Sequence, residues 1–149
     1  MMLRMARQRF MRAVDVLTQA AYRASGGHVG ARQAGRDILL LTTTGRKSGQ
    51  KRTHALLFVR DGERYVVCGS NFGDARHPAW YLNLRAHPVG TAQIGPLTVP
   101  IIATEASGEE RLHLWQTLLA AWPAYANYQA GVERTIPVII LTPRGAAPE

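Results

Sequence analysis

The sequence predicts an α+β fold that is mainly β, with about six antiparallel strands and helices that flank them. Short apolar runs alternate with turns rich in glycine and other turn-forming residues, which is the pattern of an antiparallel meander. Amphipathic helical patterns stand before the first strand and before the last one. The chain has 149 residues, 46% of them hydrophobic and 19% charged, which suits one domain with its own core. Strands of this number and length indicate a small barrel.

Residues 1–36 are predicted to form a basic amphipathic helix and a linker. Apolar residues recur there at steps of three and four, and Gly26-Gly27 marks the end of the helix. The apolar stripe consists of Leu3, Ala6, Phe10, Val14, Leu17 and Ala21. The same stretch holds seven arginines and one acidic residue. Two interpretations remain open: the stripe packs on the domain, or the helix touches anionic lipid.

Residues 37–144 are predicted to form the barrel domain, and residues 145–149 a tail. The predicted elements are strands at 37–44, 52–60, 64–69, 92–94, 99–104 and 136–141, and helical pieces after Pro78, after Ser107 and around Tyr125. His77 is expected to help cap the helix after Pro78, and Ser107 to Glu110 form a predicted capping box. The lone Cys68 is expected to be a buried, inert thiol.

The basic turn, defined as Gly45 to Arg52, is the strongest functional signal. Its eight residues include two glycines and four cations, with no acid among them. Glycine exposes backbone amides, and arginine and lysine bind phosphate or carboxylate, so the turn is predicted to hold an anion. The alternative is a solvated hairpin tip. The turn is not a nucleotide P-loop, because it lacks that spacing and runs into a strand.

Four motifs occur in one order between Asp37 and Arg144, and together they resemble the deazaflavin (F420)-dependent nitroreductase family of actinobacteria. The motifs are Leu41 to Gly49 with Arg52, Gly69 to Gly73, His77 to Leu84, and Tyr125 to Gln129 followed by Arg134 to Val138. The chain departs from the family pattern at Ala55, where proline is usual, and in the irregular Val89-Gly90-Thr91 segment.

The resemblance implies a split β-barrel, similar to FMN-binding barrels, that binds the anionic coenzyme F420; FMN is the less favoured cofactor. It implies hydride transfer from the reduced deazaflavin to a small hydrophobic, electron-poor acceptor such as a quinone, an enone or a nitroaromatic. The implied tail contacts are Arg46, Lys47, Ser48, Gly49 and Arg52. The implied ring contacts are Ser70, Asn71, Phe72, Gly73, Trp80 and Asn83. Tyr125 and Tyr128 are the implied catalytic residues on the substrate face, although tyrosines also often serve only in packing.

Other classes of function are less well supported by the residues. His54, His77 and His87 lack the spacing of a metal site. A barrel that binds single-stranded nucleic acid would carry aromatics along its strands, whereas here they fall in the helical pieces, so no nucleic-acid partner is expected. A barrel that carries a ligand without turnover remains an alternative. No secretion signal or membrane span is predicted, so the expected location is the cytoplasm, with contact at the inner face of the membrane left open.

Overall fold

The computed structural model describes residues 2–27, 32–33 and 36–145. Most of the linker after Gly27 and most of the predicted tail therefore lie outside the described residues, and the predicted division into a basic N-terminal unit, a barrel domain and a tail stays a prediction. The helices are α1 (Met2–Ala24), α2 (Ala79–Ala86), α3 (Gly108–Ala121) and α4 (Ala124–Ala130). The strands are β1 (Arg32–Gln33), β2 (Arg36–Thr44), β3 (Lys51–Asp61), β4 (Arg64–Cys68), β5 (Val89–Ile94), β6 (Leu97–Glu105) and β7 (Val138–Pro143).

Six of these strands close into an antiparallel barrel. Their order is β2-β3-β4-β7-β6-β5, and β5 pairs back with β2 to close it. The short β1 only extends the edge of β2, through Arg32 opposite Asp37. The predicted mainly β fold with about six antiparallel strands is confirmed. Because the barrel is closed, its main strands leave few backbone groups unpaired at an edge.

Three strands differ from their predicted bounds by two or more residues: β5; β6, which begins at Leu97 rather than at Val99; and β7, which begins at Val138 rather than at Ile136. β5 begins at Val89 rather than at Ala92. Its residue Gly90 lies so close to β2 that a Cβ there would come within 2.4 Å of the Thr42 carbonyl oxygen. A glycine is needed for that approach, and its low strand propensity hides the strand in the sequence. β7 continues to Pro143, which stands opposite Ile101 at the strand end and does not terminate it earlier.

The two largest clusters of the hydrophobic core share β4 and β7, and a third, smaller cluster lies under α1. Val67, Ile139 and Leu141 face the barrel interior, while Val66 and Ile140 face α3 and α4 on the outside. Successive residues of a strand point to opposite faces, so both faces of these two strands are buried. Cys68 is buried, as predicted, and burial raises the pKa of its thiol to about 12, which disfavours the reactive thiolate.

Helix α1 contacts the barrel at its C-terminal end. Tyr22 is fully buried, and its Oη donates to the Gln93 carbonyl oxygen at 3.0 Å and accepts from the Gly95 amide at 2.6 Å. Gln19 Nε2 donates to the Thr53 carbonyl oxygen at 2.8 Å. Leu3 and Leu17 of the apolar stripe do not pack on the barrel, because they are 89% and 70% exposed. Contacts of a tyrosine and a glutamine fix the helix instead. The side chains of Phe10 and Val14 lie outside the described residues.

Two predicted helix caps differ from those in the structure. Ser107 does occupy the N-cap position of α3, but Glu110 contacts Arg64 at 3.3 Å and does not complete a capping box. Pro78 occupies the N-cap position of α2, and the helix begins at Ala79. His77 contacts Arg134 Nη1 through Nδ1 at 3.2 Å instead of capping α2. None of the described helices has both the length and the hydrophobicity needed to cross a bilayer.

Candidate active site

The basic turn connects β2 to β3 and is held by its own backbone. The Gly45 amide donates to the Gln50 carbonyl oxygen at 2.7 Å, and the Gly49 amide donates to the Gly45 carbonyl oxygen at 2.8 Å. Ser48 Oγ accepts from the Gln50 amide at 3.1 Å. Gly49 has a φ of 71°, the left-handed region that favours glycine. Ser48 and Gly49 therefore set the shape of the turn.

Asn83 joins the turn to helix α2. Its side chain is 3% exposed, and its Oδ1 accepts from the Arg46 amide at 3.1 Å and from Arg46 Nη1 at 3.4 Å. Its Nδ2 donates to Thr43 Oγ1 at 3.2 Å. A buried amide with partners on both ends is well satisfied. The structure thus places Asn83 behind the turn, where it supports Arg46.

The cations of the turn project outward. Arg46, Lys47, Lys51 and Arg52 are all exposed. Lys51 Nζ donates to Thr44 Oγ1 at 3.1 Å, and among the described residues no carboxylate forms an ion pair with the four. Like charges on one turn repel one another, and an anion bound there relieves that repulsion. The geometry therefore suits an anionic group of a ligand.

The ring loop, defined as Ser70 to Gly73, has an unusual backbone. Asn71, Phe72 and Gly73 have φ values of 48°, 55° and 77°, so three consecutive residues lie in the left-handed region. A non-glycine residue there costs roughly 1–2 kcal/mol. The Gly73 amide donates to the Ser70 carbonyl oxygen at 2.9 Å, and Phe72 is 49% exposed. Strain of this kind persists where the surroundings enforce it, and it is common at functional sites.

Helix α4 places Tyr128 against the ring loop. A Cβ on Gly73 would lie 3.1 Å from Tyr128 Cδ1, so the tyrosine ring packs directly on that glycine. Tyr125 lies deeper, at 5% exposure, with its ring centroid 6.3 Å from both the Trp115 and the Tyr128 centroid. Trp80 is 4% exposed inside the barrel core. Of the predicted residues, Tyr128 therefore joins the ring loop, while Tyr125 and Trp80 are core residues.

Sequence reasoning assigned no role to Arg134. Its guanidinium donates to the carbonyl oxygens of Gly69, Ser70 and Asp74, and these residues flank or begin the ring loop. The residue is part of the Arg134 to Val138 motif, but an arginine between a helix and a strand is an ordinary surface residue by pattern alone. Only the fold brings it beneath a loop about 60 residues earlier in the chain.

The comparison with known families decides the identity of this fold. The sequence profile of the F420H(2)-dependent quinone reductase family matches residues 15–143. The chain belongs to this family. A relative described as an F420H(2)-dependent quinone reductase of Mycobacterium tuberculosis is 39% identical over 132 residues, which cover 86% of this chain and 89% of the relative.

Two solved structures are similar to this F420H(2)-dependent quinone reductase family member, and the description of the first names the same cofactor. One, described as an F420-H2 dependent reductase, is 44% identical, with a TM-score of 0.65 over 70% of this chain and 92% of its own. Another, described as a domain-swapped dimer, is 36% identical, with a TM-score of 0.69 over 95% of this chain and 99% of its own. The recognition made from the four motifs is confirmed, as are the split-barrel fold and an oxidoreductase that depends on F420.

The residues fit the cofactor of the family. F420 carries an anionic tail and a planar ring, and the chain offers an outward-facing group of four cations and a separate loop of fixed, unusual backbone. Asn83 in α2 supports the turn, and His77, just before α2, contacts the arginine beneath the ring loop. The two parts of the site are thus connected through α2 and the residues just before it.

Proposed function

We propose that this protein transfers a hydride from F420H2 to a quinone, with the cofactor tail at the basic turn and the cofactor ring at the ring loop. The observation that carries the proposal is that Asn83 of α2 supports the turn while His77, two residues before α2, contacts the arginine that bonds to the ring loop. Substrate positioning of this kind converts a bimolecular reaction into an effectively unimolecular one. The match to the family profile and the description of the relative both support a quinone as the acceptor.

The chain's own residues have three tasks in this reaction. When bound, F420H2 supplies the hydride, which carries two electrons and one proton. Arg46, Lys47 and Arg52 neutralise the tail, and the ring loop sets the plane of the ring. Tyr128, half-buried against Gly73, donates a hydrogen bond to the quinone oxygen and passes it the second proton, which completes the hydroquinone; the tyrosinate then takes a proton back from solvent.

Anaerobic stopped-flow measurement tests the proposed reaction. Purified protein is mixed with F420H2 and menadione, and the return of oxidised F420 is followed by absorbance. We expect saturable, enzyme-dependent oxidation with menadione that is faster than with a nitroaromatic or an enone of similar size. A rate with menadione no higher than the uncatalysed rate would contradict the proposal.

We also propose that α1 rests on an anionic membrane surface, close to hydrophobic quinones. Among the side chains of this helix that the structure describes, the large exposed apolar ones are Met2, Leu3, Met5, Val16 and Leu17. Arg9 and Arg23 are exposed on the same helix. A basic helix with exposed apolar residues binds at the interface of anionic bilayers.

Vesicle co-sedimentation provides the measurement for this second proposal. We expect the protein to pellet with phosphatidylglycerol vesicles, to pellet less with phosphatidylcholine vesicles, and to be released by salt. The double substitution Leu3→Gln and Leu17→Gln should reduce the pelleted fraction, whereas Leu112→Gln, at a comparably exposed leucine of α3, should not. Equal pelleting of the wild type, the double variant and Leu112→Gln would contradict the proposed membrane contact of α1.

A further inference from the structure

We propose that Arg134 and His77 act together as positioning residues that hold the ring loop in its ligand-binding conformation. This inference rests on the proposed function, because it assumes that the ring loop meets the cofactor ring. It concerns two residues that contact neither the basic turn nor, in the assignment above, the cofactor itself. We call them the Arg134–His77 pair.

All three guanidinium nitrogens of Arg134 have contacts in or beside the ring loop. Its Nε donates to the Asp74 carbonyl oxygen at 3.1 Å, and Nη2 donates to the same oxygen at 3.0 Å and to the Ser70 carbonyl oxygen at 2.9 Å. Its Nη1 lies 3.2 Å from both the Gly69 carbonyl oxygen and His77 Nδ1. A guanidinium is a planar fork of five N–H donors, so one side chain bridges the two ends of the loop.

The arginine is itself fixed in place by helix α4. Gln129 Nε2 donates to the Arg134 carbonyl oxygen at 2.9 Å, and Gln129 Oε1 accepts from the Ile136 amide at 2.9 Å. Gln129 follows Tyr128, the residue whose ring packs on Gly73. The ring loop therefore contacts both Arg134 and Tyr128. Tyr128 belongs to α4, and Arg134 is bonded to Gln129 of the same helix. Consecutive left-handed residues need such enforcement.

The guanidinium of Arg134 donates to backbone carbonyl oxygens rather than to a carboxylate. The Asp74 carboxylate accepts instead from the amide of Arg76 at 2.8 Å and lies 3.4 Å from Arg76 Nε. Burial lowers the pKa of Arg134, and Asp74 counteracts this. The geometry requires the planar fork as well as the charge, because a lysine ammonium cannot reach three separate carbonyls in one plane.

His77 completes the pair as a neutral acceptor. A guanidinium only donates, so Nδ1 of His77 must carry a lone pair and the ring proton must be on Nε2. The Tyr81 ring packs on His77 at 4.7 Å; Arg134 and Arg85 face it as cations, and Glu105 faces it as an anion. Burial first, and the two arginines second, lower the pKa of His77 below its ordinary value of 6.5. Protonation would turn Nδ1 into a donor that opposes Arg134.

The sign of the pH effect follows from this lowered pKa. The contact is fully formed above the ordinary pKa of histidine and is lost as pH falls through the lowered pKa of His77. We therefore expect the affinity for F420 to fall at acidic pH. His77→Asn provides the matched variant, because the asparagine Oδ1 can accept from Arg134 and does not titrate.

Hydrogen exchange of the protein without cofactor tests the pair directly. The variants are Arg134→Met and Arg134→Lys, and Arg76→Met is the control, since it removes an arginine of the same loop region that donates to none of these carbonyls. We expect amides of residues 70–74 to exchange at least tenfold faster in both Arg134 variants and at the wild-type rate in Arg76→Met. Wild-type exchange in both Arg134 variants would overturn the inference. Should Arg134→Met fail to fold, Arg134→Lys decides alone.

Titration with oxidised F420 tests the consequence for binding. If the loop is competent in only a tenth of the Arg134 variant molecules, Kd rises about tenfold. Between about pH 7.5 and 5, wild-type affinity should fall more steeply than that of His77→Asn, and any titration of the ligand itself is common to both proteins. Unchanged Kd in the Arg134 variants, or parallel pH profiles, would overturn the positioning role. Failure of the wild type to bind F420 would instead refute the proposed function, while hydrogen exchange still decides whether the pair holds the loop.

Discussion

We expect Tyr128→Phe to lower the turnover of F420H2 with menadione by ~10²–10⁴-fold, the usual contribution of a positioned proton donor. The substitution removes only a hydroxyl, and the ring can keep its packing on Gly73. Binding of F420 should therefore change little, while kcat falls. Stopped-flow oxidation under single-turnover conditions measures the hydride step without product release.

Tyr125→Phe is the matched control for this prediction. Tyr125 lies three residues earlier on α4 but is 5% exposed and packs in the outer core cluster with Trp115. Loss of its hydroxyl should affect stability more than turnover. Wild-type rates in Tyr128→Phe and in the double variant would remove tyrosine chemistry from the mechanism. Catalysis would then depend on positioning by the ring loop alone.

The basic turn gives the second large expected effect. Arg46→Ala and Lys47→Ala should each weaken F420 binding by on the order of 1–3 kcal/mol, the contribution of a hydrogen bond to a charged group. The Arg46 amide keeps its contact to Asn83 in the alanine variant, so the turn should retain its shape. Equilibrium titration by fluorescence measures the loss.

Salt dependence separates the anion site from a general effect of charge. Wild-type affinity should weaken as ionic strength rises, and the double variant should respond less. Arg60→Ala removes an equally exposed cation, which lies over the rings of Phe58 and Tyr65 and away from the turn. It should leave Kd unchanged. Wild-type affinity in the double variant would mean that the turn is only a solvated hairpin tip.

The strands were predictable from sequence where their pattern was undisturbed. β2, β3 and β4 lie within one or two residues of their predicted limits, because apolar runs bounded by turn residues specify them locally. β5 was predicted too short because Gly90 contributes no side chain to the hydrophobic pattern of the strand. A glycine stands there because the backbone approaches Thr42 closely. The contact between β5 and β2 requires a glycine at that position, and a contact between two distant parts of the chain cannot be read from the local sequence.

The candidate site shows the same limit at the level of side chains. Tyr125 and Tyr128 look equivalent in sequence, yet packing of α3 buries one and leaves the other beside the ring loop. Asn83 is predicted to contact the cofactor, and the structure adds that its amide bonds to Arg46 and Thr43, which the sequence did not indicate. Arg134 contacts a loop about 60 residues away in the chain. The motifs identified the family and the cofactor, whereas these roles depend on tertiary contacts.

The affinity of the purified protein for oxidised F420, measured beside its affinity for FMN, tests the central claim most directly. A basic turn with four exposed cations and a fixed ring loop should bind F420 tightly, and more weakly in the Arg46→Ala and Lys47→Ala double variant. FMN, which has a single terminal phosphate and no oligoglutamate tail, should bind more weakly than F420. Equal or tighter binding of FMN, or no binding of F420, would contradict the account.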